Sequence, residues 1–404
     1  MISKFNYSPK VLRFSIAIII SIIAAFVISI LSDSDCSKML CRGDYPAFYA
    51  AGNIASSDTP NDLYDIEIQK NLQNTLWPNL KGDYLFFAYP PTFAIFFKIF
   101  STFNPIISRL LFLLFSLALL YLSAYFLSNN KYKAIEVFAL ALLFPPITTS
   151  IASGQNTVIS ICLLSLIYYD INRNKLGFLG VWASLLLFKP QLSILVIIYL
   201  FLLYGRKVIL SYLTTSLILF LITIFHYEPS IFLKWINALS WFAKEDYVVN
   251  GYQMVSFIDL FQRSTLLPFP QKISLQITIL VILAYTLLSF YRIFSKLGSF
   301  SFEDRKVIAQ LMLSYLFLFS IHLLFYDLGI IFIVIYFLSS NKQNFSWLET
   351  FAVYLLLFIF LCYKEHLPLQ PSCIVLTYLA FKQFQVMSDL FSFKRKEQTM
   401  SIVG

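Results

Sequence analysis

SIAIIISIIAAFVISI (15–30) is the stretch that decides the fold class. It contains no charged residue, and about 20 consecutive apolar residues are enough to cross a bilayer as a helix. The stretch is longer than the core of a typical signal peptide, and no small-x-small cleavage motif follows it. It therefore predicts a retained membrane anchor, with Lys4, Lys10 and Arg13 ahead of it.

Similar uncharged stretches recur along the whole chain. Of its 404 residues, 59% are hydrophobic and only 13% are charged, whereas a soluble domain is about half apolar and about a quarter charged. The pattern predicts an all-α polytopic membrane protein with about 12 transmembrane helices. The predicted spans are 11–32, 105–127, 135–150, 155–171, 176–189, 191–204, 207–226, 273–293, 307–325, 326–339, 347–362 and 368–384.

The charges predict which side of the membrane each segment faces. When the N-terminus is placed inside, the larger share of the 30 basic residues falls in inner segments, and most of the 21 acidic residues fall in outer ones. Basic residues collect on the cytoplasmic side of membrane proteins. We therefore expect a multi-pass protein of the cell (inner) membrane with both termini in the cytoplasm. The net charge of +9 reflects this topology and does not indicate nucleic-acid binding.

Two long outer loops stand out in a chain that reads as one integral membrane domain over 1–404. The first, 33–104, carries NDLYDIEIQKNLQNTL (61–76), whose apolar residues recur at helical spacing. The second spans 227–272, and a basic cytoplasmic tail covers 385–404. We expect the loops to contain amphipathic helices that lie on the bilayer surface.

Polar residues interrupt the apolar sequence mainly at the predicted outer side. The five interruptions are Asp44 at the start of the first outer loop, Tyr89-Pro90-Pro91 at its end, Gly154-Gln155-Asn156, Lys189-Pro190-Gln191, and His322 with Tyr326 and Asp327. Ionisable groups in or near hydrocarbon are energetically expensive and usually mark a site. The topology therefore predicts that these stretches meet near the outer interface.

Each interruption also has a simpler interpretation. Asp44 is alternatively a solvated loop acid or the N-cap of the next helix, and Asp327 alternatively caps a span. The tandem prolines alternatively only begin a helix, and GQN (154–156) is alternatively a plain polar turn. Lys189 is alternatively a lysine whose ammonium group extends to water, and His322 is alternatively a packing histidine.

Taken together, the stretches resemble glycosyltransferase family 87. The resemblance rests on DYPAFYAAG (44–52), LYD (63–65), YPP (89–91), GQN (154–156), KP (189–190) and HLLFYD (322–327), in this order over most of 40–330. It implies an all-helical GT-C fold and transfer of a sugar with inversion. The implied donor is a polyprenyl-phosphate-linked sugar, mannose in the best-known members, and the implied acceptor is a glycolipid or glycan. No cofactor and no metal are expected.

An inverting transfer needs a base that takes the proton of the acceptor hydroxyl. A carboxylate among aromatic residues is partly desolvated, which raises its basicity. We therefore predict that Asp44 is the base and that neighbouring aromatic rings provide its setting. The predicted sugar- and acceptor-binding residues are Tyr45, Tyr49, Tyr89, Asn156, Tyr326 and Asp327.

The leaving lipid phosphate gains negative charge, so cations and hydrogen-bond donors near it lower the barrier. The predicted donor-phosphate ligands are Lys189, His322, Arg109 and Gln155. A second interpretation is a transporter or flippase of lipid-linked sugars. Such a protein tends to place its site near the midplane between repeated halves, and this sequence contains no detectable repeat.

Overall fold

The computed structural model describes residues 9–32, 43–80, 83–250, 323–340, 346–363, 374–379, 381–383 and 385–386, with scattered residues between 255 and 308. In this part of the chain 86% of residues are helical and no strand occurs, which agrees with the expected all-α class. The α-helices are α1 (Pro9–Ser32), α2 (Tyr45–Ser56), α3 (Ile66–Leu76), α4 (Pro91–Ser101), α5 (Pro105–Ser128), α6 (Lys131–Leu142), α7 (Pro145–Ser153), α8 (Thr157–Asn172), α9 (Leu176–Leu185), α10 (Pro190–Tyr204), α11 (Arg206–His226), α12 (Ile231–Asn250), α13 (Ile331–Ser340) and α14 (Trp347–Tyr363).

Three described helices are long and apolar enough to cross a membrane. They are Val11–Leu31, Pro105–Ser128 and Arg206–His226, and a bent pair raises the number to at most four. The count of about 12 is therefore not confirmed. Five other predicted spans coincide with apolar helices of only 10–17 residues, namely Thr157–Asn172, Leu176–Phe188, Pro190–Tyr204, Phe325–Ser339 and Trp347–Cys362. The predicted spans 273–293, 307–325 and 368–384 lie largely outside the described residues.

The predicted span 135–150 is not one straight helix. α6 ends at Leu142, α7 begins at Pro145, and the two helices are bent by 79°. Phe144, which precedes the prolines, has an extended conformation with ψ of 114°. A residue before proline avoids the helical region, and proline is favoured in the first turn of the next helix. The Pro145-Pro146 pair therefore breaks the span and begins α7.

The described residues fall into two compact units. One lies within Met1–Ile197 and Arg206–Asn250, and the other lies within Ile198–Gly205 and Gly251–Gly404. The single-domain organisation stays a prediction. The first unit contains most of the helices named above, including α2, α3 and α4, so most of the predicted site residues belong to it.

The predicted first outer loop, 33–104, contains α2, α3 and α4, so helices form there as expected. α2 is buried along nearly its whole length and packs on α4. A Cβ added at Gly52 in α2 would lie 2.5 Å from the carbonyl oxygen of Phe97 in α4. The absence of a side chain at Gly52 therefore permits this close approach.

The helix α3 is amphipathic, and the face that it buries against the protein is polar. Its buried residues are Gln69 and Gln73, whereas Ile68 is 36% exposed. The apolar periodicity thus predicted the helix correctly, and its contact with the bilayer surface stays a prediction. In the second predicted outer loop, α12 occupies the first half, and most of 251–272 lies outside the described residues.

Candidate functional site

Asp44 stands directly before α2, at the position where a capping side chain is common. Its backbone is helical, with φ of −69° and ψ of −6°, and its side chain makes no capping hydrogen bond. Its backbone carbonyl accepts from the N–H of Phe48 at 3.1 Å. Asp44 itself is partly exposed, whereas the α2 residues that follow it are buried. The carboxylate is therefore not used as the N-cap of α2.

Tyr45 connects α2 to the start of α5. Its hydroxyl makes a hydrogen bond with the hydroxyl of Ser108, the guanidinium of Arg109 lies 5.0 Å from its ring centroid, and the ring of Phe112 lies 5.2 Å away. Burial raises the pKa of the Tyr45 phenol, although the Ser108 hydrogen bond and the Arg109 charge act in the opposite direction. The phenol is therefore neutral, and protein groups cover its ring.

Tyr49, one turn further along α2, is also enclosed. Its hydroxyl donates to the carbonyl oxygen of Phe103 at 2.8 Å, and its ring meets Trp77 edge-on at 5.7 Å. Only 4% of Tyr49 is exposed. These contacts favour a packing role for Tyr49, and the same reasoning applies to Tyr45. Sugar stacking by either ring stays a prediction.

The residues between α7 and α8 form the polar turn, which we define as Ser150–Ser160. Gly154 has φ of +68°, and a Cβ at this position would lie 2.4 Å from Nη1 of Arg109 and 2.7 Å from Cβ of Tyr45. A Cβ at Gly43 would lie only 1.9 Å from the carbonyl oxygen of Ser153. The two glycines therefore allow the backbone on either side of Asp44 to lie directly against the polar turn.

Arg109 is held beside this turn by backbone oxygens. Its Nη2 donates to the carbonyl of Ile151 at 3.1 Å and also to the carbonyl of Ala152. Only 9% of Arg109 is exposed. No carboxylate is within salt-bridge distance among the described residues, so the groups that face its charge there are backbone carbonyls and the ring of Tyr45.

Several buried polar atoms of the turn have no hydrogen-bond partner among the described residues. They are Nη1 of Arg109, Oγ of Ser150, Oε1 of Gln155, Nδ2 and Oδ1 of Asn156, and Oγ of Ser160. Asn156 occupies the N-cap position of α8, yet its side chain makes no capping bond. Buried polar groups are nearly always paired, so such a concentration needs an explanation. A plain capping turn does not supply one.

Lys189 lies between a short 3-10 helix, Leu186–Phe188, and α10. It is only 7% exposed, which argues against a side chain extended into water. The adjacent Phe188 ring stacks on Phe93 of α4 at 4.8 Å. This contact brings the Lys189-Pro190 segment to the start of α4.

Tyr89 precedes α4, which begins at Pro91 in agreement with the simpler interpretation of the prolines. The Tyr89 ring lies 5.2 Å from Phe48 and 5.3 Å from Phe93, and its carbonyl accepts from the hydroxyl of Tyr64 at 2.7 Å. Tyr89 itself stays half-buried. Tyr89 thus contacts Phe48 of α2, the helix that follows Asp44. It also contacts Phe93, whose ring stacks on Phe188.

The remaining predicted residues belong to the second unit. Asp327 is 7% exposed, lies in the 3-10 helix Phe325–Ile330, and accepts from the N–H of Leu324 through Oδ2 at 3.3 Å. This bond is the local capping role that the sequence left open. Tyr326 is half-buried. His322 lies outside the described residues.

Sequence reasoning missed two groups of residues near the site. One is the pair Ser150 and Ser160, because isolated serines in apolar helices are common and carry no signal. The other is the glutamine pair of α3, where Gln69 and Gln73 bind the backbone of 85–87. No spacing rule distinguishes two buried glutamines from two solvated ones. Among the described residues, no group of three or more His, Cys, Asp or Glu side chains could hold a metal ion.

The glutamine pair fixes the segment that leads to Tyr89. Gln69 donates to the carbonyl of Leu63 at 2.6 Å and accepts from the N–H of Phe87 at 2.8 Å. Gln73 donates to the carbonyl of Leu85 at 2.7 Å and accepts from its N–H at 2.9 Å. The two glutamine amides therefore pair with backbone N–H and carbonyl groups, as the backbone of a neighbouring strand would. These hydrogen bonds hold residues 85–87, which lie just before the tandem prolines, against α3.

Comparison with known proteins places the chain in a family. No curated protein and no solved structure matches it. The model of glycosyltransferase family 87 matches residues 87–362, a range that includes Arg109, the polar turn and Lys189 but not Asp44. Because the match covers more than half of the 404 residues, the chain belongs to glycosyltransferase family 87.

Proposed function

We propose that this glycosyltransferase moves a sugar from a polyprenyl-phosphate donor to a glycolipid or glycan acceptor, with inversion at the anomeric carbon. Mannose is the proposed sugar, following the resemblance described above. The observation that carries the proposal is the contact of Gly43 and Tyr45 with Ser153, Gly154 and Arg109. It supports a site in which the backbone on either side of Asp44 lies against the turn that holds Arg109 and the unpartnered polar groups. Long apolar helices suit a donor that is itself embedded in the bilayer.

In the proposed mechanism Asp44 takes the proton of the acceptor hydroxyl. The acceptor oxygen forms a bond to the anomeric carbon as the bond from that carbon to the phosphate oxygen breaks. The lipid phosphate leaves with the bonding electron pair, and nearby cations stabilise its growing charge. Arg109 and Lys189 are the described candidates for this role, with Gln155 as an additional ligand, and His322 is proposed from the sequence alone.

The proposed location is the cell membrane, with both termini in the cytoplasm and the site on the opposite side. The excess of basic residues in the predicted inner segments supports this orientation. Cysteine accessibility on intact cells would test it, with a reagent that does not cross the membrane. A cysteine placed at Asp58, which is exposed after α2, should react, whereas one placed at Asn129 should not.

Asp44→Asn tests the catalytic assignment. Removing a general base should lower the rate of transfer about 100-fold or more while leaving the fold intact. The assay uses purified protein in detergent with polyprenyl-phosphate-mannose and glycolipid acceptors. Asp65→Asn is the matched control, because Asp65 is exposed and only caps α3 through a 3.0 Å bond from the N–H of Ile68. Near-normal turnover by Asp44→Asn would eliminate the base assignment.

Lys189→Ala tests the phosphate assignment. Loss of a cation near the leaving group should reduce kcat/KM for the donor more than it changes KM for the acceptor. Lys175→Ala, which removes an exposed lysine at the start of α9, is the control. Equal kinetics for Lys189→Ala and wild type would exclude the phosphate contact. Sugar transfer in detergent, without any compartment, also separates an enzyme from a pure transporter.

A further inference from the structure

The polar turn holds an unusual concentration of buried polar atoms. More than half of the buried side-chain nitrogen and oxygen atoms without a partner, among the described residues, belong to Arg109 and to this turn. Ser150, Asn156 and Ser160 are each 0% exposed. The N–H of Gln155 donates to the carbonyl of Ser150 at 2.8 Å, which links the first residue of the turn to its middle. An unsatisfied buried polar group destabilises a protein, so a shared reason is needed for all of them.

The chemical types of these atoms indicate what would satisfy them. The amide oxygens of Gln155 and Asn156 only accept hydrogen bonds, the Asn156 nitrogen only donates, and serine hydroxyls do both. A phosphate group offers acceptors alone and would leave the two amide oxygens unpaired. A ligand for this set must therefore donate and accept, as the hydroxyl groups of a sugar do.

The neighbouring guanidinium narrows the ligand further. Nη1 of Arg109 lies at the position that a Gly154 side chain would occupy, so the charge and the neutral polar atoms form one cluster. A molecule that presents both a phosphate and hydroxyl groups fits this combination. A glycosyl phosphate, which is the headgroup of the proposed donor, has both.

We infer that Ser150, Asn156 and Ser160 bind hydroxyl groups of the transferred sugar and determine which donor sugar is accepted. Ser150 and Ser160 were not among the residues predicted from sequence. The inference rests on the proposed function and adds specificity to it. A site built to pair with substrate hydroxyls discriminates against an analogue lacking one, because its own buried groups are then left unpaired.

The test compares Ser160 with Ser165, both in α8, and adds Ser150 of α7. Ser160→Ala removes a hydroxyl in the polar turn, and Ser150→Ala removes the second one. Ser165→Ala is the matched control, because Ser165 is also in α8, is 0% exposed and has no hydrogen-bond partner in the described part of the chain. The first readout is kcat/KM for a polyprenyl-phosphate hexose relative to its monodeoxy analogues. Each polar-turn variant should lower this ratio about three- to tenfold for one hydroxyl, and the control should leave it unchanged.

A second readout does not depend on catalysis. Soluble hexose 1-phosphate should raise the thermal midpoint of the wild type more than inorganic phosphate does, by preferential binding to the folded state. This difference should shrink in Ser160→Ala and persist in Ser165→Ala. The inference would be overturned if inorganic phosphate stabilised the wild type as much as hexose 1-phosphate does. It would also be overturned if Ser160→Ala and Ser165→Ala responded equally. Either result would indicate that buried water pairs with the polar groups of the turn. Selective binding of the hexose 1-phosphate without any transfer would instead reject the proposed function.

Discussion

The segment from α2 to α4 and the polar turn differ in whether their buried polar side chains have hydrogen-bond partners. In the segment from α2 to α4, the side chains of Gln69, Gln73 and Tyr64 each meet a backbone partner at 2.6–2.9 Å. In the polar turn, Asn156 and both serines meet none among the described residues. Paired polar groups stabilise the segment from α2 to α4, whereas the unpaired groups of the polar turn destabilise the fold. Under the proposed function, the unpaired groups are available to bind a ligand. Variants in the two regions should therefore affect different measurements.

The largest expected effect is on stability and comes from Phe48→Ala in α2. Phe48 is 0% exposed, stacks on Phe97 at 4.8 Å, and contacts three further aromatic rings. Loss of this ring should lower the free energy of unfolding by about 4 kcal/mol. The measurement is denaturation in detergent, with Phe103→Ala, at a residue 43% exposed, as control. A change below about 1 kcal/mol would show that the aromatic cluster is not the scaffold.

The next effect comes from Gly154→Ala, which should change both stability and activity. The added Cβ meets Arg109 and Tyr45 at a positive φ, so left-handed strain and overpacking together should cost about 3 kcal/mol. Gly205→Ala has the same backbone constraint, with φ of +76°, but no atom within 4 Å of the added Cβ. It should cost about 1 kcal/mol.

Displacement of Arg109 and Tyr45 should also reduce transfer per folded molecule about 100-fold in Gly154→Ala. Gly205→Ala should retain the wild-type rate when corrected for the folded fraction. If the two alanine variants behave alike in both measurements, the polar turn is not a close-packed part of the site.

A smaller effect is expected for Gln69→Leu. The substitution removes the partners of the Phe87 N–H and the Leu63 carbonyl, which should lower the free energy of unfolding by about 2 kcal/mol. Asn71→Leu, at an exposed position of the same helix, should change it by less than about 0.5 kcal/mol. Transfer per folded molecule should be retained in both. A selective rise in KM with unchanged stability would contradict the scaffold role.

The smallest effect is expected for Tyr49→Phe. It removes only the hydrogen bond to the Phe103 carbonyl, so the loss should be about 1 kcal/mol with normal kinetics. Unfolding curves and donor and acceptor KM values measured on one preparation would decide between the two roles of Tyr49. An increased acceptor KM at unchanged stability would favour the sugar-binding prediction over the packing role.

Much of the helical architecture follows from sequence patterns that the structure retains. Apolar runs predicted α1, α5 and α11 to within a few residues, and tandem prolines were correctly associated with the start of α4. The same proline rule applied to Pro145-Pro146 would have predicted the break between α6 and α7. Two stretches on which the family resemblance rests, the acid Asp44 and the GQN turn, were visible because each interrupts a chain that is otherwise strongly apolar.

The packing of the site was less accessible from sequence. Tyr45 and Tyr49 were predicted to surround an acid and to bind sugar, whereas the two residues are only 3% and 4% exposed and pack against other parts of the protein. The buried face of α3 is polar because it pairs with the backbone of a segment 12 to 18 residues further along the chain. Such a long-range partner leaves no periodic trace in either segment, so hydrophobic periodicity does not reveal which residues of α3 pack against the protein.

The glutamine pair also has a consequence for association between molecules. Residues 85–87 lie in neither a helix nor a strand, and an open row of backbone N–H and carbonyl groups is a template for pairing with a foreign chain. Here two side-chain amides occupy that row, and the indole N–H of Trp235 takes the Ala88 carbonyl at 3.0 Å. These backbone groups already have partners within the same molecule. Purified protein should therefore resist intermolecular β-type aggregation until α3 unfolds.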